Sequence, residues 1–156
     1  MAVTVNLDLG YEFGVKAPYD TVFELLSDVP KSASHFPKLE KLVDLGDGVY
    51  RWEMAKIGVS KFILQTIYAS KYVAHPAKGT VVWTPVEGEG NALVSGSWKI
   101  VDKKKSTHLT LHIKGEVMMP LPSMVKMIVV PAVQGEFEKM VEQYIANLTK
   151  KFGGEV

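Results

Sequence analysis

The sequence predicts an α+β fold: a curved antiparallel sheet of about seven strands wrapped around a long C-terminal helix, with two short helices after the first strand. Three observations lead there. Val133, Phe137, Met140, Val141, Tyr144, Ile145 and Leu148 recur at three- and four-residue steps, the apolar stripe of an amphipathic helix. Val3, Val5, Leu7, Leu9, Tyr11, Phe13 and Val15 take alternate positions against Thr4, Asn6, Asp8, Glu12 and Lys16, which is a long strand with one buried face. Between the two, turn signals follow one another at spacings that only antiparallel neighbours accommodate.

In chain order, Pro18 suits the first turn of a helix whose stripe is Tyr19, Val22, Phe23 and Leu26. Pro30 opens a second short helix, ended by Pro37. From Leu39 the period returns to two, and Leu39, Val43 and Leu45 lead into Gly46-Asp47-Gly48, a strong hairpin signal. Tyr50, Trp52 and Met54 continue beyond it, opposed by Arg51 and Glu53. Gly58 marks a bend, and Phe62 to Val73 reads as one strand. Turns at Pro76–Gly79, Gly88–Asn91 and Lys103–Ser106 then separate strands over 80–86, 92–102 and 107–117. Strands of ten residues, at ~3.3 Å each, exceed 30 Å and must twist and curl. A curled sheet with one apolar face covers one long amphipathic helix by wrapping it.

The closing segment, Pro122 to Phe152, has two halves. Gln134 to Phe152 makes a rod of roughly 28 Å at ~1.5 Å per residue. Gly153 is its stop, and Lys150 and Lys151 sit in the last turn, where the helix dipole favours cations. The front half is apolar nearly all round, and Pro131 predicts a kink or break there. Five of the seven Met residues lie between Met118 and Met140. Two readings fit them: a core helix filled with adaptable side chains, or a soft, mobile wall beside a cavity.

Bulk properties exclude several function classes. A length of 156 residues is one domain's worth, with enough chain for a sizeable core. A net charge of +1 makes no electrostatic case for nucleic acid or an anionic membrane. The absence of cysteine removes disulfides, thiolate metal sites and cysteine nucleophiles. Met1 to Leu9 reads as neither a signal nor a transit peptide. The longest apolar run, Met127 to Val133, falls far short of a membrane span. The expectation is a soluble, cytoplasmic protein without integral membrane association.

Several of these stretches carry a resemblance. Val15-Lys16-Ala17-Pro18, the helix Tyr19 to Asp28, Phe36-Pro37-Lys38-Leu39 and Gly46-Asp47-Gly48-Val49-Tyr50 resemble the opening of START-like (SRPBCC) superfamily proteins. The closing helix, with Pro131 and its stripe from Phe137 to Leu148, is similar too. Within that superfamily the chain is nearest in feel to the polyketide cyclase/dehydrase family. The resemblance implies one START-like domain over residues 1–156 and a helix-grip fold with a hydrophobic cavity between sheet and helix. It also implies a small hydrophobic ligand there, such as a lipid, a polyketide or an aromatic molecule.

Candidate site residues follow from the inward face. If that face carries Leu109, Leu111, Ile113 and Val117, alternation selects Val94, Gly96, Trp98 and Ile100 on the neighbouring strand. On earlier strands it selects Tyr50, Trp52 and Met54, then Leu64, Thr66, Tyr68 and Tyr72; Trp83 is ambiguous, since Val82, Thr84 and Val86 lie opposite it. The ligand-binding set drawn from the sheet is Tyr50, Trp52, Met54, Leu64, Thr66, Tyr68, Trp98, Leu111 and Ile113. The helix adds Met124, Ile128, Gln134 and Phe137. Gly96 removes bulk in mid-strand, which favours open space.

Other motifs point away from chemistry. His108 and His112 lie on the polar side of a strand with Thr110, Lys114 and Glu116. Four residues along a strand part their rings by roughly 13 Å, too far to share a zinc at ~2 Å from each. No metal and no cofactor is expected. His35 and His75 lie beside prolines in loop-like surroundings, and Lys103–Lys105 is a solvated turn. Gly46-x-Gly48 and Gly88-x-Gly90 lack the remaining residues of a phosphate loop. With no inward carboxylate or histidine, a binder is favoured over an enzyme. The alternatives are a polyketide cyclase/dehydrase-type enzyme using the same cavity, and a protein-interaction module using Met118–Val130 as an exposed patch.

Overall fold

In the computed structural model, which describes residues 3–59 and 61–156, the chain opens with β1 (Val3–Val15), α1 (Tyr19–Ser27) and α2 (Val29–Ala33). The strands β2 (Leu39–Gly46), β3 (Val49–Met54), β4 (Ile57–Val59), β5 (Phe62–Leu64) and β6 (Ile67–His75) follow. β7 (Thr80–Val86), β8 (Ala92–Asp102) and β9 (Thr107–Met119) come next, then a 3₁₀ turn (Ser123–Val125) and α3 (Lys126–Lys151). Seven strands form one antiparallel sheet in the order β1-β9-β8-β7-β6-β3-β2, while β4 and β5 form a separate hairpin. The architecture is the helix-grip arrangement expected.

The period-two reading of β1 holds along its length. It pairs with β9 from Val3↔Met119 to Val15↔Thr107, and Val3, Val5, Leu7, Phe13 and Val15 are buried. α3 lies across this inner face with Val129, Val133, Phe137, Met140, Val141, Tyr144 and Leu148 buried. Its 26 residues make a rod of ~39 Å. After Phe152 the chain turns at Gly153 and Gly154, both at positive φ. It is then clasped to the end of β1: Lys16 N donates to Gly154 O (3.1 Å), Ala17 N to Phe152 O (3.0 Å) and Val156 N to Gly14 O (3.0 Å). The end of the helix is thereby fixed to the end of the first strand, which sets its angle across the sheet.

Four expectations need correction. Phe62 to Val73 is not one strand but two, broken at Gln65 and Thr66. The break is hydrogen-bonded to a distant turn: Asn91 Oδ1 accepts from Ile67 N (2.8 Å), and Asn91 Nδ2 donates to Gln65 O (3.0 Å) and Met118 O (3.1 Å). Gly58 marks no bend but lies mid-strand in β4, opposite Ile63. In β2 the register slips between Leu39 and Lys41, so Leu39 and Leu42 pack toward the core while Leu45 is exposed. Finally, Pro131 does not break α3, which runs from Lys126 to Lys151 and takes in the apolar front half ahead of Gln134. Pro131 sits in its second turn, where only one carbonyl, that of Met127, loses its partner.

Candidate functional site

A cavity lies between the inner face of the sheet and α3, closed at one end by α1 and α2. The space open to water centres is about 70 Å³. That is several times the ~10–15 Å³ a single water occupies by the same measure, and below the ~300–1,000 Å³ of a drug-sized pocket.

Alternation and register build its walls. Tyr72 pairs with Trp83 across β6–β7, Trp83 with Gly96 across β7–β8, and Gly96 with Ile113 across β8–β9. Directly paired residues share a face, so one row crosses the sheet beneath α3. Trp83 therefore faces inward, with only 7% of it exposed. Its indole occupies the space a Gly96 side chain would need: a Cβ there would fall 2.4 Å from Trp83 Cζ2 and 2.5 Å from His112 O. A second aromatic row is Trp52, stacked on Tyr68 at 5.8 Å and met edge-on by Phe36 at 5.6 Å. Trp98 packs against Phe13 (6.1 Å) and Tyr144 (6.2 Å).

Of the residues read as ligand-binding, the structure brings Trp52, Met54, Tyr68, Trp98, Leu111, Ile113 and Phe137 together around this cavity. The others lie elsewhere. Tyr50 is on the inner face but beyond the cavity's end, in an outer groove with Pro30 and Leu42. Leu64 and Thr66 are buried at the β5–β6 break without reaching the cavity. Gln134 turns to the rim, where Nε2 donates to Asn6 O (2.8 Å). Met124, in the 3₁₀ turn, and Ile128, in the first turn of α3, are 85% and 62% exposed and stand on the outer surface, while Val129 beside them turns inward.

Side chains the sequence reading did not place there complete the wall, chiefly Ser32, Phe36, Trp83, Val141 and Tyr144. Trp83 was legible in principle through its bulk facing Gly96. Ser32 carried no signal, since its partner is 112 residues away.

The polar content is uncharged. Among the lining residues there is no carboxylate, imidazole or ammonium. The Ser32 and Tyr144 hydroxyls bond to each other inside the core. Burial pushes the Tyr144 phenol up to about 12, against smaller opposing effects of Ser32 and Trp98. Burial likewise holds Tyr68 and Tyr72 well above the ordinary phenol value, with neighbouring phenols adding to the shift. Trp52 Nε1 leans toward Tyr72 closely enough to oppose its shift, yet it reaches no hydrogen-bond geometry and is buried without a partner. The Tyr68 and Tyr72 side chains line the same cavity. At neutral pH the cavity therefore presents neutral hydroxyl and indole groups and no charge.

Charged groups sit outside. Arg51 binds Glu53 (3.0 Å) and Glu89 (3.2 Å) on the outer face of the sheet. His108 lies 3.2 Å from Glu12 and His112 2.8 Å from Asp8, also on the outer face. Among the described residues, no group of three or more His, Asp or Glu gathers in metal-binding geometry. No helix among them is long and apolar enough to cross a membrane.

A sheet gripping one long C-terminal helix around an apolar cavity defines a START-like protein of helix-grip fold. Solved structures share it. A START superfamily protein from Mycobacterium smegmatis matches with a TM-score of 0.67 at 15% identity, covering 94% of this chain and 97% of that one. The Zhui aromatase/cyclase from Streptomyces sp. R1128 matches at 0.59 and 22% identity, covering 93% and 90%. Norcoclaurine synthase from Thalictrum flavum, in complex with dopamine and hydroxybenzaldehyde, matches at 0.57 and 19%, covering 90% and 85%. At these identities the likeness is one of fold. No curated protein sequence matches significantly. The chain belongs to the CoxG family of carbon monoxide dehydrogenase subunits, whose model matches residues 12–153.

Proposed function

We propose that residues 1–156 act as one domain that binds or carries a small, uncharged hydrophobic molecule between the sheet and α3. The observation that carries this reading is a buried cavity walled by apolar and aromatic side chains, whose only polar groups are neutral hydroxyls and indoles. Such a lining favours apolar burial and penalises an ion, which would enter without a counter-charge. The cavity's modest size restricts it to one or two rings unless the walls part. Two structural neighbours support the use of this fold with aromatic molecules, although both are named as enzymes: one is an aromatase/cyclase, and the other, a synthase, was solved in complex with dopamine and hydroxybenzaldehyde. A cyclase-type reaction needs a titratable group in reach of substrate. The buried phenols are held too far above neutrality to serve readily as bases, so carriage is favoured over turnover.

The reading makes the protein a cytoplasmic carrier, and a net charge of +1 offers nucleic acid no electrostatic attraction. Native mass spectrometry of the purified protein is expected to show an apolar adduct that organic extraction removes. Small aromatic probes are expected to quench the fluorescence of Trp52, Trp83 and Trp98. A protein that carries nothing and leaves its tryptophan emission unchanged with every probe overturns the proposal.

A further inference from the structure

Resting on that reading, we infer that the bound molecule carries an oxygen acceptor of the carbonyl class, received by the Trp52 indole N–H together with the Tyr72 or Tyr68 hydroxyl. Trp52 is 6% exposed and lines the cavity, and its Nε1 is the one buried side-chain polar atom without a partner among the described residues. Buried donors are nearly always satisfied, and indole nitrogen can only donate. Its missing partner must be an acceptor; the neighbouring Tyr72 hydroxyl does not meet hydrogen-bond geometry, which leaves the place to an oxygen on the ligand.

The surroundings agree. Trp52 and Tyr68 are register partners on β3 and β6, and their rings stack within 10° of parallel. Tyr72 lies further along the inward side of β6, stacked on Trp83 at 5.5 Å. Two hydroxyls and one indole N–H thus come from adjacent strands onto one wall, the indole N–H without a partner among the described residues. A carbonyl oxygen has two lone pairs and accepts two such donors, while the ring bearing it lies against the aromatic wall. An alcohol brings a proton of its own, which only the phenol oxygens could accept, whereas a carbonyl meets the indole and a phenol with no donor left over. A carboxylate would be charged in a cavity without a cation, so the class is a neutral ketone, aldehyde, ester or amide.

The test uses 1-indanone and indane, a pair that differ in the carbonyl. Nitrogen-15 spectra of the full chain resolve its three tryptophan side chains. Indanone is expected to move the Trp52 Nε1–H proton downfield, while indane does not. By calorimetry Trp52→Phe is expected to weaken indanone about fivefold more than it weakens indane, one neutral hydrogen bond's worth. Should Trp52→Phe fold poorly, the proton shift in the parent protein and the loss of preference in Tyr72→Phe or Tyr68→Phe decide the matter; preference kept in both variants, with the proton unmoved, overturns the acceptor site. Equal binding of the two compounds, with Trp52 Nε1–H unmoved, overturns the acceptor site and leaves the apolar cavity standing. Binding of neither overturns the cavity reading as well.

Discussion

Replacing Gly96 with alanine tests the register that builds the cavity. The added Cβ would lie 2.4 Å from Trp83 Cζ2, 2.5 Å from Trp83 Cε2 and 2.5 Å from His112 O. The indole cannot simply swing away, because it is buried and stacked on Tyr72. His112 O cannot retreat either, since it belongs to the β8–β9 ladder, in which Ser97 pairs with His112 and Gly96 with Ile113. Overpacking of this kind costs about 1–3 kcal/mol, with the upper half of that range applying because one of the opposing atoms is backbone. Removing glycine's conformational freedom returns about 0.5–1 kcal/mol. The net expectation is a loss of about 2 kcal/mol, or roughly 4–8 °C in Tm for a chain of this size. Urea unfolding followed by tryptophan fluorescence and far-ultraviolet dichroism measures it. Adding Trp83→Leu removes the indole contacts but leaves His112 O in place, so the double variant should recover only part of the loss. A Gly96→Ala protein within about 0.5 kcal/mol of the parent, the spread of an ordinary surface change, would refute the placement of Trp83 over Gly96.

Other outcomes follow from the same interior. Tyr144→Phe and Ser32→Ala each leave a buried hydroxyl unpaired and should cost about 1–2 kcal/mol; the double variant, measured by the same unfolding, should cost less than their sum. The buried phenols predict alkaline instability. Burial pushes Tyr144 up to about 12 in the fold against 10.0 ordinarily, so the unfolded chain loses protons first and stability falls as pH rises from 10 toward 12. Absorbance at 295 nm should show Tyr68, Tyr72 and Tyr144 ionising together with loss of fold, and a gradual titration of all three before unfolding would contradict their burial. Asn91→Ala should cost about 2 kcal/mol through three lost side-chain hydrogen bonds, with amide exchange speeding at Ile67. Met127→Lys, at a position 89% exposed, should change stability by less than about 0.5 kcal/mol.

Where a strand runs unbroken and paired, period-two reasoning located its inward residues, as with Trp52, Trp98, Leu111 and Ile113. It failed where the period itself was interrupted. The slip at Glu40 and the Asn91-bound break at Gln65 depend on partners far along the chain, which no local window contains. Met124 and Ile128 misled for a different reason. A helix apolar on all sides looks fully buried, yet this one extends past the sheet and exposes Met124, Met127 and Ile128. Met119, Leu121 and Val129 in the same segment are core, so the apolar run divides between interior and surface. The Ser32–Tyr144 pair was invisible because two hydroxyls acquire meaning only once folding brings them together.

The proline in α3 gives that rod two unequal lengths. Ahead of Pro131 stand only five helical residues, from Lys126 to Val130, and the proline nitrogen sends no hydrogen bond back to Met127 O. Behind it, twenty residues are riveted to the core and to the end of β1. The short piece is therefore held mainly by the buried Val129 and not by that backbone bond, and it can loosen without unwinding the long one. Deuterium uptake should be faster at Met127 to Val130 than from Val133 onward, as for a flap on a fixed jamb.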